Sequence, residues 1–425
     1  MVTARLAKKL SAPYQQCDQQ VKILILTQYY LPETGAPQNR LSSLAEHLQS
    51  FGAEVEVLTA LPNYPKQEIY AGYENKLYST EKINGIIVHR CKLFVSKKMD
   101  LYYRLANYFS FTINAWRNAR KKVAKPDVII CESPPLFLGI TAVMLKRKWA
   151  CKLIFNVSDL WPESAEKMGI IKNKLIIHRS YKLAKWIYKN SELISGQTKG
   201  ILQAINDMVP GKKLFWFPNG VDDTHFLPSI KNESFKKENI FQLLYAGILG
   251  YAQGLEVILN AAKKLEKIHD IQFTIIGDGP EKEKLYNLKD SLSLQNVTFI
   301  PNEPRDFVLA KIETCDAYIV PLKKLDIFKG AIPSKLFEPL AFSKPILLGV
   351  DGEARKLFID EGKAGLYFEP ENADGLANAI LELYDNPEVK KALGENGKAY
   401  VLKNFDRRKI AENFYEQMQA LFDSK

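Results

Sequence analysis

Residues 22–40 read KILILTQYYLPETGAPQNR, and this stretch decides the fold class. Lys22–Thr27 is an almost uninterrupted aliphatic run, which is typical of a strand buried on both faces. A loop containing Pro32 and Gly35 follows, and a helical pattern begins after it. A buried strand, a glycine-containing loop and a helix in this order predict the first unit of a parallel α/β sheet.

The same alternation of short aliphatic runs with longer helical patterns continues along the chain. Besides Lys22–Thr27, the predicted strands are Glu54–Thr59, Val128–Cys131, Leu153–Val157, Leu193–Ser195, Leu243–Ala246, Phe273–Ile276, Val297–Ile300, Ala317–Val320 and Ile346–Val350. The turn-rich segment Phe217–Asn232 divides them into two sets. We therefore expect two Rossmann-like domains, residues 21–215 and 216–400, facing each other across a ligand-binding cleft. Residues 1–20 are predicted to be a flexible tail, and residues 401–425 a helix that packs back on the first domain.

Composition and charge narrow the function classes. The chain has 425 residues, 46% of them apolar and 25% charged, which excludes wholesale disorder and agrees with two or three domains. Lys and Arg outnumber Asp and Glu by 59 to 48, and residues 1–200 alone contain 30 basic against 15 acidic residues. Such a basic half predicts an anionic partner, which is a nucleic acid, a membrane surface or a phosphorylated substrate.

The cysteines and the apolar runs indicate in which cellular compartment the protein is expected. The five cysteines are far apart and form no C-x-x-C pair, so neither a disulfide framework nor a zinc site is expected and a reducing cytosol is favoured. The N-terminus lacks the apolar segment of a signal peptide. Leu136–Leu145 is the best continuous apolar run and is too short to span a bilayer. Any membrane contact is therefore expected to be peripheral.

The loop after the first strand, Gln28–Arg40, is the first candidate ligand site. Backbone N–H groups at a helix N-terminus stabilise an anion, and Gly35 permits close approach of a ligand. An ordinary strand-to-helix turn is the alternative. The loop is neither a dinucleotide fingerprint nor a Walker A motif, since it contains a single glycine.

A second candidate site is Lys329–Ala341, KGAIPSKLFEPLA. A helix predicted to begin near Ser334 would offer N–H donors to a phosphate, with Lys335 as a mobile positive charge in its first turn. Glu338, one turn further, is placed to accept both hydroxyls of a ribose. The alternative is that Glu338 is a solvated helix residue.

Several further strings occur in a characteristic order. They are Pro218–Asp222, Gly247–Leu255, Ile276–Glu281, Ser334–Glu338 and Lys344–Ile346. In this order and spacing, the chain from about Lys22 onwards resembles the family-four glycosyltransferases of GT-B fold. Asp159–Ser164 (DLWPES) and Gln253–Leu255 narrow the resemblance to the bacterial surface-polysaccharide branch, particularly the N-acetyl-L-fucosamine transferases of O-antigen and capsule assembly.

The resemblance implies roles for individual residues on the donor side. Glu338 would bind the ribose of the nucleotide. The family's second glutamate, eight residues earlier, is replaced by Gly330. Gly35 would direct its N–H toward the diphosphate or the sugar. The remaining expected donor-site residues are Asn219, Gly247, Gly277, Asp278 and Gly279, although a simple turn is the alternative for the last two.

Two positively charged residues that the family normally has are missing from this sequence. The Arg and Lys that normally lie beside the diphosphate align with Ile248 and Gln253. Lys335 is the first predicted substitute, and Lys329 and Arg305 are weaker ones.

The resemblance also implies the reaction. A UDP-sugar co-substrate would donate its sugar, with retention of configuration, to a polyprenyl-diphosphate-linked saccharide at the inner face of the cytoplasmic membrane. Helix N-termini and a lysine can stabilise the leaving diphosphate, and the chain contains no D-x-D triplet, so no metal or other cofactor is expected. Asp159 is the candidate for orienting or deprotonating the acceptor hydroxyl, with a helix cap as the alternative.

The membrane or acceptor surface is expected within Arg90–Lys125, which has ten basic residues and one acid. Its predicted contacts are Tyr102, Tyr103, Arg104, Trp116, Arg117, Arg120, Lys121 and Lys122. Interleaved aromatic and basic residues suit a lipid headgroup layer, but they also suit single-stranded nucleic acid or a core helix with a solvated face.

Two other functions remain open. A UDP-sugar epimerase of the same fold would bind the nucleotide in the same cleft and need no acceptor. A basic nucleic-acid-binding protein is less favoured, because the dinucleotide fingerprint is absent and residues 201–425 are slightly acidic, with 29 basic against 33 acidic residues.

Overall fold

The computed structural model describes residues 20–64, 67–98, 101–169, 171–222 and 239–423. The predicted tail, apart from Gln20, lies outside the described residues. So do residues 223–232 of the predicted domain boundary.

The described chain contains fourteen strands. They are β1 (Lys22–Leu26), β2 (Glu54–Ala60), β3 (Tyr78–Ile83), β4 (Ile86–Cys91), β5 (Val128–Ser133), β6 (Lys152–Val157), β7 (Leu193–Gly196), β8 (Lys213–Trp216), β9 (Phe241–Ala246), β10 (Ile271–Ile276), β11 (Val297–Ile300), β12 (Ala317–Pro321), β13 (Ile346–Gly349) and β14 (Gly365–Tyr367). Every strand predicted from the sequence is present. The structure adds β3, β4, β8 and β14.

Thirteen α-helices connect and cover them within the described residues. They are α1 (Ala36–Ser50), α2 (Leu101–Lys122), α3 (Leu138–Trp149), α4 (Glu163–Lys167), α5 (Lys174–Asn190), α6 (Lys199–Met208), α7 (Glu256–Lys264), α8 (Lys282–Ser291), α9 (Arg305–Thr314), α10 (Phe337–Ala341), α11 (Ala373–Asp385), α12 (Pro387–Asn404) and α13 (Arg407–Asp423). Short 3-10 turns occur at Tyr251–Gln253, Asp326–Gly330 and Ser334–Leu336, and Arg355–Glu361 is a π-helix. Among these residues no helix combines the length and the apolar character needed to span a bilayer.

The strands form two sheets, so the predicted pair of doubly wound sheets is confirmed. The first has the order β3-β4-β2-β1-β5-β6-β7-β8, and the second β11-β10-β9-β12-β13-β14. Strand β3 is antiparallel to β4, while the pairs of the second sheet are all parallel. Two compact units are formed, Met1–Phe155 with Asn190–Glu192 and Asn156–Lys189 with Leu193–Lys425.

The second sheet is covered on both faces. Along β9, Leu243 and Tyr245 belong to one apolar cluster with α7 and α11, and Leu244 and Ala246 belong to another with α10. This alternation follows from the two-residue period of a strand. It fixes Tyr245, whose exposed fraction is 0%, as a core residue whose hydroxyl lies near the carboxyl end of β9.

The C-terminal region contains a break that the sequence did not indicate. Residues 401–404 complete α12, and the last helix begins only at Arg407. Between them Phe405 O accepts a hydrogen bond of 2.9 Å from Val221 N, and Arg407 N donates one of 2.9 Å to Val221 O. The Phe414 ring of α13 lies 4.8 Å from that of Phe217, centroid to centroid.

Candidate active site

In the second sheet, β9 and β12 are neighbours. The chain leaves β9 toward β10 on one side of this pair, and it leaves β12 toward β13 on the other side. Ligands of open α/β sheets bind at such a switch point, beyond the carboxyl ends of the strands. The loops after β9 and β12 meet here, because Lys323 N donates a hydrogen bond of 3.0 Å to Ala252 O. Lys323 Nζ also lies 3.6 Å from the centroid of the Tyr251 ring. Lys323 is a cation at this edge that sequence reasoning missed, and its place directly after a predicted strand was the available signal.

Three glycines allow the loops after β9 and β10 to touch. A Cβ added to Gly277, whose φ is 147°, would lie 1.9 Å from Gly247 O, and one added to Gly279 would lie 2.5 Å from Leu249 O. Leu249 N donates a hydrogen bond of 2.9 Å to Asp278 O. The side chain of Asp278 is used locally, since Oδ1 accepts a bond of 2.8 Å from Gly279 N. These positions therefore need glycine for backbone contact.

Lys335 reaches this edge from the other side of the switch point. Its Nζ donates a hydrogen bond of 2.6 Å to Tyr245 Oη, and a Cβ added to Gly247 would lie 2.9 Å from the same Nζ. Tyr245 Oη in turn donates to Ile248 O at 2.7 Å. Although Lys335 is only half-buried, the protein desolvates its ammonium and lowers the pKa from 10.5 to about 7. The predicted substitute cation and the predicted glycine loop are thus brought together.

The other two predicted substitute cations are engaged elsewhere. Arg305 Nη2 donates a hydrogen bond of 2.9 Å to Glu338 Oε1. Lys329 is exposed and forms an ion pair of 2.7 Å with Asp326. Glu338 remains 30% exposed beside Arg305, so its carboxylate is oriented but still accessible.

The segment that carries Lys335 and Glu338 is not the continuous helix expected from Ser334. Ser334–Leu336 is a 3-10 turn, and α10 covers only Phe337–Ala341. Pro339 explains the break, because it has no N–H to donate to the carbonyl of Lys335. The predicted α-helix start at Ser334 is therefore a 3-10 turn, and the anion site proposed at this start stays a prediction.

Gly330 lies against a helix terminus. A Cβ added to Gly200 in α6 would lie 2.9 Å from Gly330 Cα. Beside this contact, Glu353 accepts hydrogen bonds of 2.8 Å from both Lys199 N and Gly200 N. A carboxylate here neutralises the partial positive charge of the helix N-terminus. The family that the sequence resembles has a glutamate at the position of Gly330, and Glu353 therefore lies close to that position.

The chain matches two sequence families that divide it between them. The family described as "Glycosyl transferase 4-like domain" matches residues 35–220, and "Glycosyl transferases group 1" matches residues 228–400. The chain belongs to the family-four glycosyltransferases.

Similar proteins agree with this assignment. The putative colanic acid biosynthesis glycosyl transferase WcaI of Escherichia coli K12 is 24% identical over 94% of this chain and 100% of its own length. D-rhamnosyltransferase WbpZ of Pseudomonas aeruginosa is 21% identical over 89% of this chain and 91% of its own. Among solved structures, sucrose-phosphate synthase of Thermosynechococcus elongatus superimposes with a TM-score of 0.74 at 16% identity, covering 96% of this chain and 100% of that one. HepE of Anabaena, solved with UDP and glucose, gives 0.70 at 15% identity, covering 94% and 100%. The GT-B fold is thereby confirmed.

In the glycosyltransferase, Gly35 is the N-cap of α1 and has an extended backbone, with φ of 164°. Any residue adopts this conformation, and a Cβ there would meet only the flexible Gln38 side chain, at 2.6 Å. The same loop is anchored by the buried Glu33, whose Oε1 accepts bonds of 2.7 and 2.8 Å from Asn63 N and Tyr64 N. Desolvation raises the pKa of Glu33 to about 7 against the lowering effect of these amides.

Two further predicted donor-site residues, Gln253 and Asn219, are at least partly buried. Gln253 ends the 3-10 turn after β9, and its Oε1 is buried without a hydrogen-bond partner in the described residues. Asn219 is 6% exposed and its Nδ2 donates a bond of 3.2 Å to Gln197 Oε1. Ile248, at the position of the family's Arg, is 48% exposed and offers no charge.

Asp159 follows β6 in the glycosyltransferase, as expected. Its Oδ2 accepts a hydrogen bond of 3.1 Å from Ser164 Oγ in α4. Although the residue reaches solvent, desolvation by the surrounding protein raises the pKa of its carboxyl to about 6. A carboxyl with this pKa has the properties of a general base near neutral pH.

The predicted membrane residues lie on α2, which exposes an apolar face on one side and Arg104 on the opposite side. Tyr102 is 74% exposed, and Phe109 and Ile113 are 40% and 48% exposed on the same side of the helix. Arg104 and the basic residues Arg117, Arg120, Lys121 and Lys122 are exposed as well. Tyr103 and Trp116 differ, because Tyr103 stacks on Phe94 at 6.2 Å and Trp116 is half-buried.

Proposed function

We propose that this glycosyltransferase transfers a sugar from a UDP donor to a lipid-linked saccharide during the assembly of a bacterial surface polysaccharide. The donor sugar is N-acetyl-L-fucosamine or a related N-acetylhexosamine, and its anomeric configuration is retained. The observation that carries the proposal is the position of Lys335 Nζ at the backbone of Gly247. It is supported by the surface-polysaccharide relatives and by the UDP complex of HepE.

The nucleotide lies beyond the carboxyl ends of β9 and β12 in this proposal. Glu338 accepts the ribose hydroxyls, and Arg305 holds its carboxylate in place through the bond of 2.9 Å. The glycine contacts at Gly277 and Gly279 leave the loops free of side chains, so that a nucleoside can approach the backbone.

Lys335 supplies the charge that the leaving group needs. As the glycosidic bond to the donor breaks, negative charge develops on the β-phosphate and the sugar becomes oxocarbenium-like. A desolvated ammonium stabilises that charge more strongly than an ammonium in water does. A lysine in this position allows transfer without a metal ion, and Asp159 orients or deprotonates the acceptor hydroxyl.

The exposed face of α2 binds the membrane that carries the acceptor. Tyr102, Phe109 and Ile113 insert among lipid headgroups, and Arg117 and Arg120 pair with anionic lipids, at about 1 kcal/mol for each basic residue near the surface. The enzyme then works at the cytoplasmic leaflet as a peripheral protein.

A donor panel tests the reaction. UDP- and GDP-sugars are incubated with a synthetic polyprenyl-diphosphate N-acetylhexosamine, with and without EDTA, and the products are analysed by mass spectrometry and NMR. We expect one UDP-N-acetylhexosamine to give a retained glycoside in both conditions. Loss of transfer in EDTA contradicts metal independence, and epimerisation of the donor without acceptor selects the epimerase instead.

Vesicle binding tests the membrane face. Co-sedimentation with vesicles containing anionic phospholipid is compared for the wild type and for Phe109→Ser with Ile113→Ser. The matched control is Phe422→Ser on α13, which removes an aromatic residue that is also 40% exposed. We expect the double substitution alone to weaken binding, and equal binding of all three proteins contradicts the proposal.

A further inference from the structure

We infer that a tyrosine cluster at the carboxyl edge of the first sheet binds the acceptor's first sugar and its diphosphate. The cluster consists of Gln28, Tyr29, Tyr64, Arg104, Asn107 and Tyr108. Gln28 and Tyr29 follow β1, Tyr64 follows β2, and the other three lie in the N-terminal half of α2. The inference rests on the proposed function for the identity of the acceptor and adds the residues and the chemistry that recognise it.

Gln28 offers an unused hydrogen-bond acceptor. Its exposed fraction is 0%, and its Nε2 donates a bond of 2.6 Å to Asn107 Oδ1. Asn107 Nδ2 donates a bond of 2.6 Å to Phe94 O, which fixes the orientation of the Asn107 amide and therefore that of Gln28. Within the part of the chain that the structure describes, Gln28 Oε1 is left without a hydrogen-bond partner. A buried carbonyl in this state is destabilising, and a ligand N–H or O–H that bonds to it removes that cost.

The tyrosines near Gln28, whose Nε2 lies 3.4 Å from Tyr29 Oη, form a surface suited to a sugar ring. The rings of Tyr29 and Tyr64 meet edge to face, with centroids 5.6 Å apart and planes at 61°. Tyr29, Tyr64 and Tyr108 are half-buried, so that part of each side chain reaches solvent. Burial raises the pKa of Tyr29 and of Tyr64, and their hydroxyl groups remain protonated donors at physiological pH. Apolar ring faces with fixed hydroxyl groups at their edges are typical of saccharide sites.

The cluster is rigid where it contacts the ligand. Glu33 accepts hydrogen bonds from the backbone of Tyr64 at 2.8 Å and of Tyr30 at 3.2 Å, and so joins the loops after β1 and β2. The Gln28–Asn107 bond joins the first of these loops to α2. A site held in this way loses little side-chain entropy when a ligand binds.

Arg104 adds an anion contact beside the rings. It is exposed and lies one helical turn before Tyr108, on the same side of α2. A guanidinium in this position pairs with phosphate oxygens. An amide carbonyl, two tyrosine rings that meet edge to face and a cation together match an N-acetylhexosamine 1-diphosphate, with the acetamido N–H donated to Gln28 Oε1.

The experiment measures binding separately from turnover. Isothermal titration calorimetry with farnesyl-diphosphate N-acetylglucosamine is performed on the full chain and on three variants, Gln28→Met, Tyr64→Ala and Arg104→Gln. Arg408→Gln on α13 is the matched control, since it removes an equally charged residue that is 68% exposed. Binding of UDP-N-acetylglucosamine to each variant reports whether the donor side remains folded.

We expect each variant to bind the acceptor analogue roughly tenfold more weakly, the loss for one charged or buried hydrogen bond, and the control to bind as the wild type does. For Arg104→Gln the difference from wild type should vanish with an analogue that lacks the diphosphate. For Gln28→Met it should vanish with the 2-deoxyhexose, which has no hydrogen-bond donor in place of the acetamido group. Arg104→Gln alters an exposed residue and remains informative if the buried substitutions impair folding.

Two results overturn the inference: no binding of the analogue by the wild type, or unchanged affinity in all three variants. A wild type that binds the analogue in a cluster-dependent manner but transfers no sugar supports the inference and refutes the proposed function instead.

Discussion

Replacement of Lys335 by Met is expected to make the protein more stable and to weaken donor binding. The pKa of Lys335 falls from 10.5 to about 7 because the protein desolvates its ammonium. A difference of this size corresponds to an upper limit of about 5 kcal/mol of folding free energy. Below pH 7 the ammonium is charged in both states and the folded state bears the whole penalty. Between pH 7 and 10.5 only the unfolded state is charged, so the penalty shrinks with rising pH.

The pH dependence gives the measurement. Urea unfolding of Lys335→Met and of the wild type is compared from pH 6.5 to pH 9, and the free energies of unfolding are subtracted. The advantage of the variant should narrow by about 2.5 kcal/mol over this range, a slope approaching 1.4 kcal/mol per pH unit. Lys391→Met, at an exposed position on α12, should show no such trend. A constant difference, or a less stable variant at pH 6.5, refutes the desolvation argument.

The pH dependence of donor binding is a second test of the lowered pKa of Lys335. UDP-N-acetylglucosamine keeps its charge between pH 6.5 and 8, so a change in its affinity reports the protein. If the diphosphate needs a charged Lys335, the free enzyme must take up a proton, and the affinity of the wild type should fall about eightfold over this range. Lys335→Met should bind more weakly and without this dependence. Calorimetry in buffers of different ionisation enthalpy measures the proton uptake directly.

Three further predictions concern the loops and the two glutamates. Gly277→Ala places a Cβ 1.9 Å from Gly247 O and should cost about 3 kcal/mol in thermal unfolding, whereas Gly250→Ala, whose nearest neighbour is 3.9 Å away, should change stability by less than about 0.5 kcal/mol. Glu353→Ala removes two hydrogen bonds of 2.8 Å and should speed hydrogen exchange at the first two amides of α6 by roughly tenfold or more, and unchanged exchange contradicts the contact. Glu338→Gln should weaken UDP binding about tenfold but leave 2′,3′-dideoxy-UDP unaffected, since the lost contact is to the ribose.

The strands were predictable where burial on both faces leaves an uninterrupted aliphatic run. Tyr78–Ile83 was missed because its residues alternate between half-buried and exposed, and this pattern gives no such run. The signal that could have found it is Asn84-Gly85. Both residues have positive φ, 49° and 85°, as the two-residue turn between antiparallel strands requires.

The parallel sheet made it predictable that the loops carrying the proposed donor-side residues meet at one edge, but the partners of their side chains were not predictable. Lys335 and Gly247 are far apart in sequence, and no local pattern indicates that Tyr245 Oη accepts a hydrogen bond from the lysine. The desolvation of Lys335 likewise depends on the packing of β9 against α10 and cannot be derived from its neighbours in the chain. The change from a 3-10 turn to an α-helix after Leu336 was accessible from sequence, since Pro339 has no N–H to donate to the carbonyl of Lys335.

Under the proposed function, Lys335 takes over the diphosphate contact that the resemblance assigns to an Arg and a Lys, whose positions are occupied here by Ile248 and Gln253. A permanently charged arginine binds the intact donor strongly as well as the departing diphosphate, and the part of the binding energy that is common to both does not accelerate the chemical step. Lys335, with a pKa of about 7, is charged in only part of the free enzyme at neutral pH. Its protonation becomes more favourable as negative charge accumulates on the β-phosphate, because the low-dielectric surroundings that disfavour the lone ammonium strengthen the ion pair. The interaction is therefore greatest when the glycosidic bond is most broken, which is the condition for stabilising the transition state rather than the substrate.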